Sequence, residues 1–344
     1  MITSWLLSSL SSSSGIGLNL GAAVSFDPMN VLLVHSGNAV SESRKYTFVK
    51  EQGDALSALG VHVFYFAVKG KGVKGYLSSL PKLKQAIKDN QIVLIHAHYG
   101  FCGALSVLQR SVPVVITFHN GETLTTKGKV VASLAARFSA YNIFVAQHIH
   151  DKLVLIPDGY RILPCGIDMK QLPLLEKQDA IREMGLPEDL PNILFGGSFS
   201  NPRKNYPLAK EAIDLIPFPV NLIELKGFNR SQVNKLLCGC DLFLLPTKSE
   251  GSPQVVKEAL ACNCPIVATG VADIPELLEG VRNSYVTGFD AREIASRIET
   301  ILQDGGRSDG RKKISERKLD NPQVAESLID IYHSVLSRKK PKNA

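Results

Sequence analysis

Short apolar runs alternate with longer amphipathic stretches along this chain of 344 residues. Apolar runs bounded by glycine, proline or polar residues predict buried strands, and the amphipathic stretches between them predict helices. The predicted strands are 30–34, 61–66, 92–95, 114–118, 143–145, 155–157, 192–195, 221–225, 242–245 and 266–268. The predicted helices are 45–59, one ending near 108, 231–238, 254–262, 291–302 and 324–336. This alternation predicts an α/β protein built on doubly wound parallel sheets.

The length of the chain suits two α/β domains of roughly 150 residues each. Residues 1–28 are serine-rich, weakly apolar and free of lysine and arginine. That pattern lacks the charged start of a signal peptide, and its apolar run is too short and interrupted to span a membrane. We expect 1–28 to be an appended or poorly ordered extension, with folding from Met29 onward.

The stretch from Asp241 to Thr269 reads as strand, loop, helix and strand, and Pro253 fits the first turn of its helix. Glu250 precedes the helix and Glu258 lies inside it, with seven residues between them. A helix start at the carboxyl end of a parallel strand offers backbone N–H groups and a positive dipole end to a ligand. The two carboxylates can accept hydrogen bonds from hydroxyl groups there. A solvated helix-start glutamate and an ordinary surface glutamate are the open alternative.

Two glycines, Gly196 and Gly197, follow the predicted strand 192–195, and Arg203 and Lys204 come just before the next helix. Backbone N–H groups and cations in this order make a seat for a diphosphate. An ordinary basic helix start explains the pattern poorly, because the dipole disfavours cations at that end.

The first half offers glycine and histidine at the ends of its predicted strands. Gly37 and Asn38 form a loop that can approach a ligand closely, although no G-x-G-x-x-G fingerprint is present. His119 ends strand 114–118, where ligands bind in this architecture. His96 and His98 follow the third strand, and either can instead be a loop histidine with a satisfied hydrogen bond. The pattern favours that interpretation for His98 and a function for His119.

Hydrophobic residues make up 44% of the chain and charged residues 21%, as in soluble globular enzymes. Six cysteines without a secretory context predict a reducing, cytoplasmic location. Two C-x-C pairs, Cys238 with Cys240 and Cys262 with Cys264, lack the C-x2-C spacing of zinc sites. We therefore expect structural cysteines and no metal site.

The net charge of +7 is concentrated in the first half. Residues 29–180 contain 17 lysines and arginines against 10 acidic residues, whereas 181–344 contain 22 against 21. Six lysines fall within 69–88, whose later part has the pattern of an amphipathic helix. This pattern indicates peripheral contact with an anionic membrane or an acidic partner, or else a solvated lysine-rich surface. No aromatic interleaving accompanies the lysines, so nucleic acid is not expected.

The segment around Glu250 resembles the E-x7-E region of retaining glycosyltransferases of the GT-B fold, particularly the family-four group. The matching residues are Cys240-Asp241, Pro246-Thr247, Glu250 to Gln254, Glu258-Ala259, Ala261 to Pro265 and Ala268-Thr269. Asn263 stands where glycine is usual, and asparagine also tolerates the left-handed conformation of a helix end. The resemblance covers about 29–338 and implies two Rossmann-like domains that face a cleft.

The family pattern also locates the domain boundaries. Residues 163–168 resemble the run that closes the first domain, so we expect domains over 29–169 and 170–319 with a linker near 168–190. The resemblance implies that the C-terminal helix of 320–344 crosses back to the first domain before a basic tail.

The family's site residues carry over position by position. The resemblance implies catalytic roles for Glu250, His119 and Lys204, and an acceptor side formed by Gly37, Asn38 and His98. It implies donor binding by Ser198, Arg203, Lys204, Phe228, Gly251, Ser252, Pro253, Gln254 and Glu258. Ser198 occupies the place of the family's arginine, and Arg203 is the neighbouring cation that can compensate.

These residues imply a retaining glycosyltransferase that moves a sugar from a UDP- or GDP-sugar to a sugar or lipid-linked acceptor, as in surface polysaccharide or glycolipid assembly. No D-x-D motif is present, so no metal is expected. A GT-B nucleotide-sugar epimerase and a catalytically silent nucleotide-sugar-binding protein are the alternatives. An epimerase would need more acid/base residues near the donor sugar than the sequence offers, whereas the missing arginine at position 198 is compatible with a silent protein.

Overall fold

The structure, a computed structural model, describes residues 29–37, 47–70, 72–155 and 159–338. The predicted extension 1–28, Asn38 and the end of the basic tail lie outside the described residues. Within those ranges the chain forms two separate sheets, of six and five strands, in which every neighbouring pair is parallel. The α/β class and the two-sheet architecture predicted from the sequence are confirmed.

The first sheet has the order β2-β1-β3-β4-β5-β6. Its strands are β1 (Asn30–Ser36), β2 (His62–Val68), β3 (Leu94–His98), β4 (Val114–Phe118), β5 (Tyr141–Phe144) and β6 (Tyr160–Ile162). Its helices are α1 (Thr47–Ala58), α2 (Gly72–Leu77), α3 (Leu80–Asp89), α4 (Gly100–Val107), α5 (Thr126–Phe138) and α6 (Gln147–His150).

The second sheet has the order β11-β10-β9-β7-β8. Its strands are β7 (Asn192–Phe195), β8 (Asn221–Glu224), β9 (Leu242–Leu245), β10 (Ile266–Thr269) and β11 (Ser284–Thr287). The helices of this half are α7 (Lys177–Met184), α8 (Tyr206–Asp214), α9 (Arg230–Gly239), α10 (Gln254–Ala261), α11 (Ile274–Leu278), α12 (Ala291–Asp304), α13 (Gly310–Glu316) and α14 (Asn321–Ser337).

The central strands are buried along their whole length, which explains their continuous apolar sequences. Every residue of β3, β4, β7, β9 and β10 is buried. Helices cover both faces of a parallel sheet, so its inner strands need apolar side chains on both sides.

The last helix, α14, packs on the first sheet although it follows the second in sequence. Val324, Leu328 and Ile331 share a core with Val31 and Leu33 of β1. Just before α14 the backbone pairs with the chain near the end of the first half, through hydrogen bonds that join residue 167 to residues 319 and 321. The two connections between the sheets therefore run side by side.

Three local expectations differ from the structure. The sixth strand is Tyr160–Ile162 and not 155–157; Leu155 is exposed outside any strand, and 156–158 lie outside the described residues. The expected linker contains helix α7, which ends at the left-handed Gly185. The sequence pattern did not predict α5, which buries small residues such as Ala132, Ala135 and Ala136 and leaves larger apolar side chains exposed. Among the described helices, none has the length and apolar character needed to span a bilayer.

Candidate active site

The loop after β9 meets the loop after β4, so that the two halves of the chain touch at Glu250 and His119. Asn120 donates its side-chain N–H to the backbone oxygen of Glu250 at 2.8 Å. A Cβ on Gly251 would lie 2.6 Å from the backbone oxygen of His119. Asn120 has a φ of 88°, a positive value that asparagine tolerates better than most other side chains. Two predicted site residues from different halves are thus neighbours.

Glu250 and Lys204 form a buried ion pair at the base of this contact. The Lys204 Nζ lies 2.7 Å from Glu250 Oε1, and only 12% and 9% of the two side chains are exposed. The hydroxyl of Thr247 donates to the same carboxylate oxygen at 3.0 Å. Both bonds use Oε1, which leaves Oε2 as the oxygen for a further donor such as a sugar hydroxyl. Gly197 permits this arrangement, since a Cβ there would come within 2.8 Å of the Lys204 side chain.

A cavity of about 320 Å³ opens beside this ion pair. Lys204, Gln254 and Glu258, three residues predicted to bind a donor, line it together with Gly196 and Gly197. From the first half, Phe48 and Glu51 of α1 complete its wall. The lining therefore combines two cations, Lys204 and Arg230, with two carboxylates, Glu51 and Glu258, and two glycines that leave room beside the backbone. Cations suit a phosphate group, and carboxylates suit hydroxyls.

Four predicted donor-binding residues do not line this cavity. Ser198 donates its hydroxyl to the Glu224 carboxylate at 2.7 Å, and the Arg203 side chain is exposed. Phe228 packs against the core of the second half. Pro253 is the buried residue just before α10, and not inside its first turn as expected. Lys204 is thus the predicted cation that reaches the cavity.

The remaining predicted positions are Ser252, Gly251 and the acceptor side. Ser252 lies beside the carboxyl group of Asp273. Gly37 donates its N–H to the backbone oxygen of Val68 at 2.7 Å, at the end of β1. Because Asn38 lies outside the described residues, its place on the acceptor side stays a prediction.

His96, His98 and His119 form one stacked group under the cleft. His98 Nδ1 lies 3.1 Å from His119 Nε2, and the His96 and His98 rings stack at 4.7 Å. His96 also bonds Tyr332 and Thr117 at 2.6 and 2.7 Å. His96 and His98 belong to β3 and are fully buried, so neither is a loop histidine. The expected satisfied hydrogen bonds are present for His96, whereas His98 Nε2 has no hydrogen-bond partner among the described residues.

Burial keeps these three histidines neutral. It lowers the pKa of His96 to about 3, with the neighbouring His119 adding to the effect. Burial also lowers the pKa of His98 and of His119 well below 6.5, helped by the adjacent histidines and, for His119, by Lys257. A neutral His119 brings no charge to a bound sugar, and it would have to exchange one of its present partners, His98 at Nε2 or Cys165 at Nδ1, to bond a sugar hydroxyl.

This group predicts that the folded state loses stability in mild acid. A histidine with a depressed folded pKa contributes stability above pH 6.5 that is lost as the pH falls, on the order of 1 kcal/mol per histidine per pH unit. Thermal unfolding between pH 7 and 5 should show a steep fall in melting temperature. The His98→Gln variant should show a shallower pH slope whatever its absolute stability, whereas His62→Gln, at an exposed position, should keep the wild-type slope. Equal slopes in all three proteins would contradict the assignment.

An ion pair that the sequence did not reveal closes one side of the cavity. Glu51 of α1 bonds Arg230 at the start of α9, so it joins the two halves. Burial raises the pKa of Glu51 to about 6, against the attraction of Arg230 and with the repulsion of Asp168 and Glu258. Glu51 therefore contributes stability below pH 4.5 that is lost as the pH rises through 6. The three histidines have the opposite pH dependence, because their contribution is lost as the pH falls. No local pattern marks either residue, since the pair exists only because the halves meet.

Lys257 is a further residue that sequence reasoning missed. It is fully buried and donates from Nζ to the backbone oxygen of Cys165 at 2.9 Å. The Cys165 thiol in turn lies 3.8 Å from His119 Nδ1. Lys257 therefore fixes the chain segment behind His119. A lysine among Val256, Ala259 and Leu260 on the core face of α10 is a signal that could have identified it.

Two family profiles match the chain. The profile "Glycosyl transferases group 1" matches residues 209–304, and "Glycosyltransferase Family 4" matches residues 42–171. The two matches fall on the two sheets that enclose the cavity.

Curated relatives of the chain are glycosyltransferases. It is 27% identical over 313 residues to TuaC of Bacillus subtilis, a glycosyltransferase assigned to teichuronic acid biosynthesis, covering 82% of this chain and 77% of that protein. It is 35% identical over 114 residues to the N,N'-diacetylbacillosaminyl-diphospho-undecaprenol alpha-1,3-N-acetylgalactosaminyltransferase of Campylobacter jejuni, covering 31% of this chain and 30% of that one.

Solved structures share the fold at low sequence identity. Sucrose-phosphate synthase from Thermosynechococcus elongatus superposes with a TM-score of 0.75 at 18% identity, covering 90% of this chain and all of that one. Anabaena HepE in complex with UDP and glucose gives a TM-score of 0.72 at 15% identity, covering 89% of this chain and all of that one.

Proposed function

The chain belongs to the group 1 glycosyltransferases of the GT-B fold, and we propose that it transfers a sugar, with retention of configuration, from a UDP- or GDP-sugar to an acceptor hydroxyl. Polysaccharide or glycolipid assembly is the setting, as the relatives indicate. The observation that carries the proposal is the buried Lys204–Glu250 pair beside a cavity walled by both halves.

In this proposal the second half holds the donor. The Lys204 ammonium would face the diphosphate, and Gly196 and Gly197, which lack side chains, would let the diphosphate approach the backbone closely. Negative charge develops on the diphosphate as the glycosidic bond breaks, and fixed donors in a partly buried site stabilise it strongly. Glu258 would accept hydrogen bonds from the ribose hydroxyls, and Glu250 Oε2 from a sugar hydroxyl. Backbone N–H groups of Gly251, Ser252 and Gln254 would complete the sugar site.

The first half supplies the opposite wall. His119 is held neutral and abuts the Glu250 loop. It would exchange one of its present partners, His98 or Cys165, for a hydroxyl of the donor sugar while the cleft is closed. For retention, the acceptor would attack from the face that the diphosphate leaves. The leaving phosphate would take the acceptor's proton, because the donor-side carboxylate Glu250 is already bonded to Lys204. His98 and Gly37 would lie toward the acceptor.

A thermal-shift panel of UDP-, GDP-, ADP- and CMP-sugars tests the donor class. A donor present at a hundred times its dissociation constant stabilises the native state by about 2.7 kcal/mol. We expect a clear rise in melting temperature with a UDP- or GDP-sugar and a much smaller rise for the Lys204→Met variant. The UDP complex of a structural neighbour supports UDP first. If no UDP-sugar and no GDP-sugar raises the melting temperature, the proposed donor class is wrong.

A silent binding protein is the second candidate, and one observation favours it. Among the predicted donor residues, Ser198 is engaged with Glu224 and Arg203 is exposed, so Lys204 alone brings positive charge to the cavity from that set. Release of nucleoside diphosphate on addition of a polyprenyl-diphosphate-linked sugar separates the two functions. Acceptor-dependent release supports transfer, and a donor-induced thermal shift without any release supports silent binding.

A further inference from the structure

The exposed surface of α2, α4 and α5 is apolar to an unusual degree. Leu77, Phe101, Leu108, Leu134 and Phe138 are each between 41% and 70% exposed. They line one groove of about 660 Å³, which we call the apolar groove. A contiguous apolar patch that is rimmed by polar residues marks a site of contact with a protein or a membrane.

Helix α5 has its amphipathic faces reversed. It buries the small residues Ala132, Ala135 and Ala136, and it presents Leu134 and Phe138 to solvent. The reason is the close packing of α5 on α4, where a Cβ on Gly100 would lie 2.9 Å from the Ala132 Cβ. A surface helix ordinarily turns its large apolar side chains inward. The large side chains of α5 are therefore not needed for the core of the folded chain.

Positive charge surrounds the apolar groove. Residues 69–138 contain ten lysines and arginines and two acidic residues, a net charge of +8 against +7 for the whole chain. Lys74, Arg110, Lys127 and Arg137 are exposed on or next to α2, α4 and α5. Two copies of this surface would repel each other, whereas an anionic lipid surface complements both its charge and its apolar side chains.

The apolar groove also begins near the cleft. Helix α4 starts at Gly100, two residues after His98, and α5 follows the loop that contains His119. Both helices therefore start at the cleft edge of the first sheet and run away from it.

We propose that the apolar groove docks on an anionic bilayer, with Phe101, Leu134 and Phe138 among the lipid headgroups and the flanking lysines and arginines on lipid phosphates. This proposal extends the membrane contact, which the sequence indicates for residues 69–88, to helices α4 and α5. Helix α3 buries Leu83 and Ile87 and presents lysines, so it supplies charge, and α4 and α5 supply the apolar contact. The inference rests on the proposed function in one respect, because docking would bring the cleft to a lipid-linked acceptor.

Flotation of the full chain with vesicles tests this surface. Vesicles of equal parts phosphatidylglycerol and phosphatidylcholine, at an ionic strength of about 0.05 M, should carry the wild-type protein upward. Pure phosphatidylcholine vesicles should carry much less. The double variant Leu134→Ser, Phe138→Ser should bind the anionic vesicles at least tenfold more weakly, since it removes two apolar side chains that the bilayer would bury. Lys127→Glu with Arg137→Glu should abolish the preference for anionic lipid.

Phe289→Ser is the matched control, because Phe289 is 55% exposed on the other half of the chain. It should float like the wild type. Failure of the wild type to float, or flotation of the double serine variant at the wild-type level, would overturn the proposal. A wild-type dimer in solution that the same serine substitutions dissociate would instead assign the groove to a second copy. The donor-induced thermal shift is measured without lipid, so loss of docking and loss of donor binding are distinguishable.

Discussion

Replacing Glu250 by glutamine is expected to lower the rate of sugar transfer roughly 10²–10³-fold, the scale seen when a fixed electrostatic contact to a transition state is removed. The amide keeps the shape of the side chain but not its charge. Lys204 would lose the anion that holds it 2.7 Å away in a buried site, and the sugar would lose a strong hydrogen-bond acceptor. The rate should be measured with the nucleotide sugar that gives the largest thermal shift and a polyprenyl-diphosphate-linked sugar as acceptor.

Three further variants test whether the loss of activity is specific to the Lys204–Glu250 pair. Glu211→Gln, at an exposed position on α8, should retain wild-type activity. Lys204→Met should lose activity to a similar degree, and the double variant should lose less than the product of the two single losses, because the residues act as one unit. Circular dichroism and melting curves would show whether each variant is folded. A folded Glu250→Gln enzyme with wild-type turnover contradicts the assigned role.

Gly251→Ala is expected to reduce activity on the order of 10²-fold, since a displacement of about 1 Å in an active site has effects of this size. The added Cβ would lie 2.6 Å from the backbone oxygen of His119 and 3.2 Å from the Asn120 Cβ. Backbone atoms cannot move aside as a flexible side chain can, so the two halves must separate at this point. The hydrogen bond from Asn120 to residue 250 would then lengthen as well.

Gly121→Ala is the matched control for this variant. It adds the same methyl group two residues from His119, but nothing lies within 4 Å of the added atom. We expect its activity to stay within about threefold of the wild type, in line with the small effects of surface substitutions. If both glycine variants lose activity equally, or if Gly251→Ala loses none, close contact between the halves at this point is not required for turnover.

The sequence predicts those parts of the fold and site that depend on local pattern. The buried strands of the second sheet have continuous apolar sequences, and β7, β9 and β10 fall within a residue of their predicted ends. The Glu250 loop is equally local, because one strand, one turn and one helix determine it. Its neighbour Lys204 was identified from a second local segment, and the structure brings the two together.

Other features depend on how distant segments meet. Glu51 and Arg230 are unremarkable in their own helices, and they pair because α1 and α9 approach each other across the cleft. The sequence likewise suggested Arg203 as a second cation for the cavity. The left-handed turn at Asn205, next to Lys204, starts α8 so that Lys204 points inward and Arg203 stays exposed. The reversed faces of α5 also escape prediction, since alanine and leucine are both apolar in a periodicity analysis.

Acceptor-dependent release of nucleoside diphosphate, compared between the wild type and the Glu250→Gln, Glu258→Gln double variant, tests the central claim most directly. The same samples should be checked for native melting behaviour. We predict that the wild type releases nucleoside diphosphate when the lipid-linked sugar is added and that the folded double variant does not. Equal release from both proteins would show that the two carboxylates beside the cavity do not hold the activated sugar.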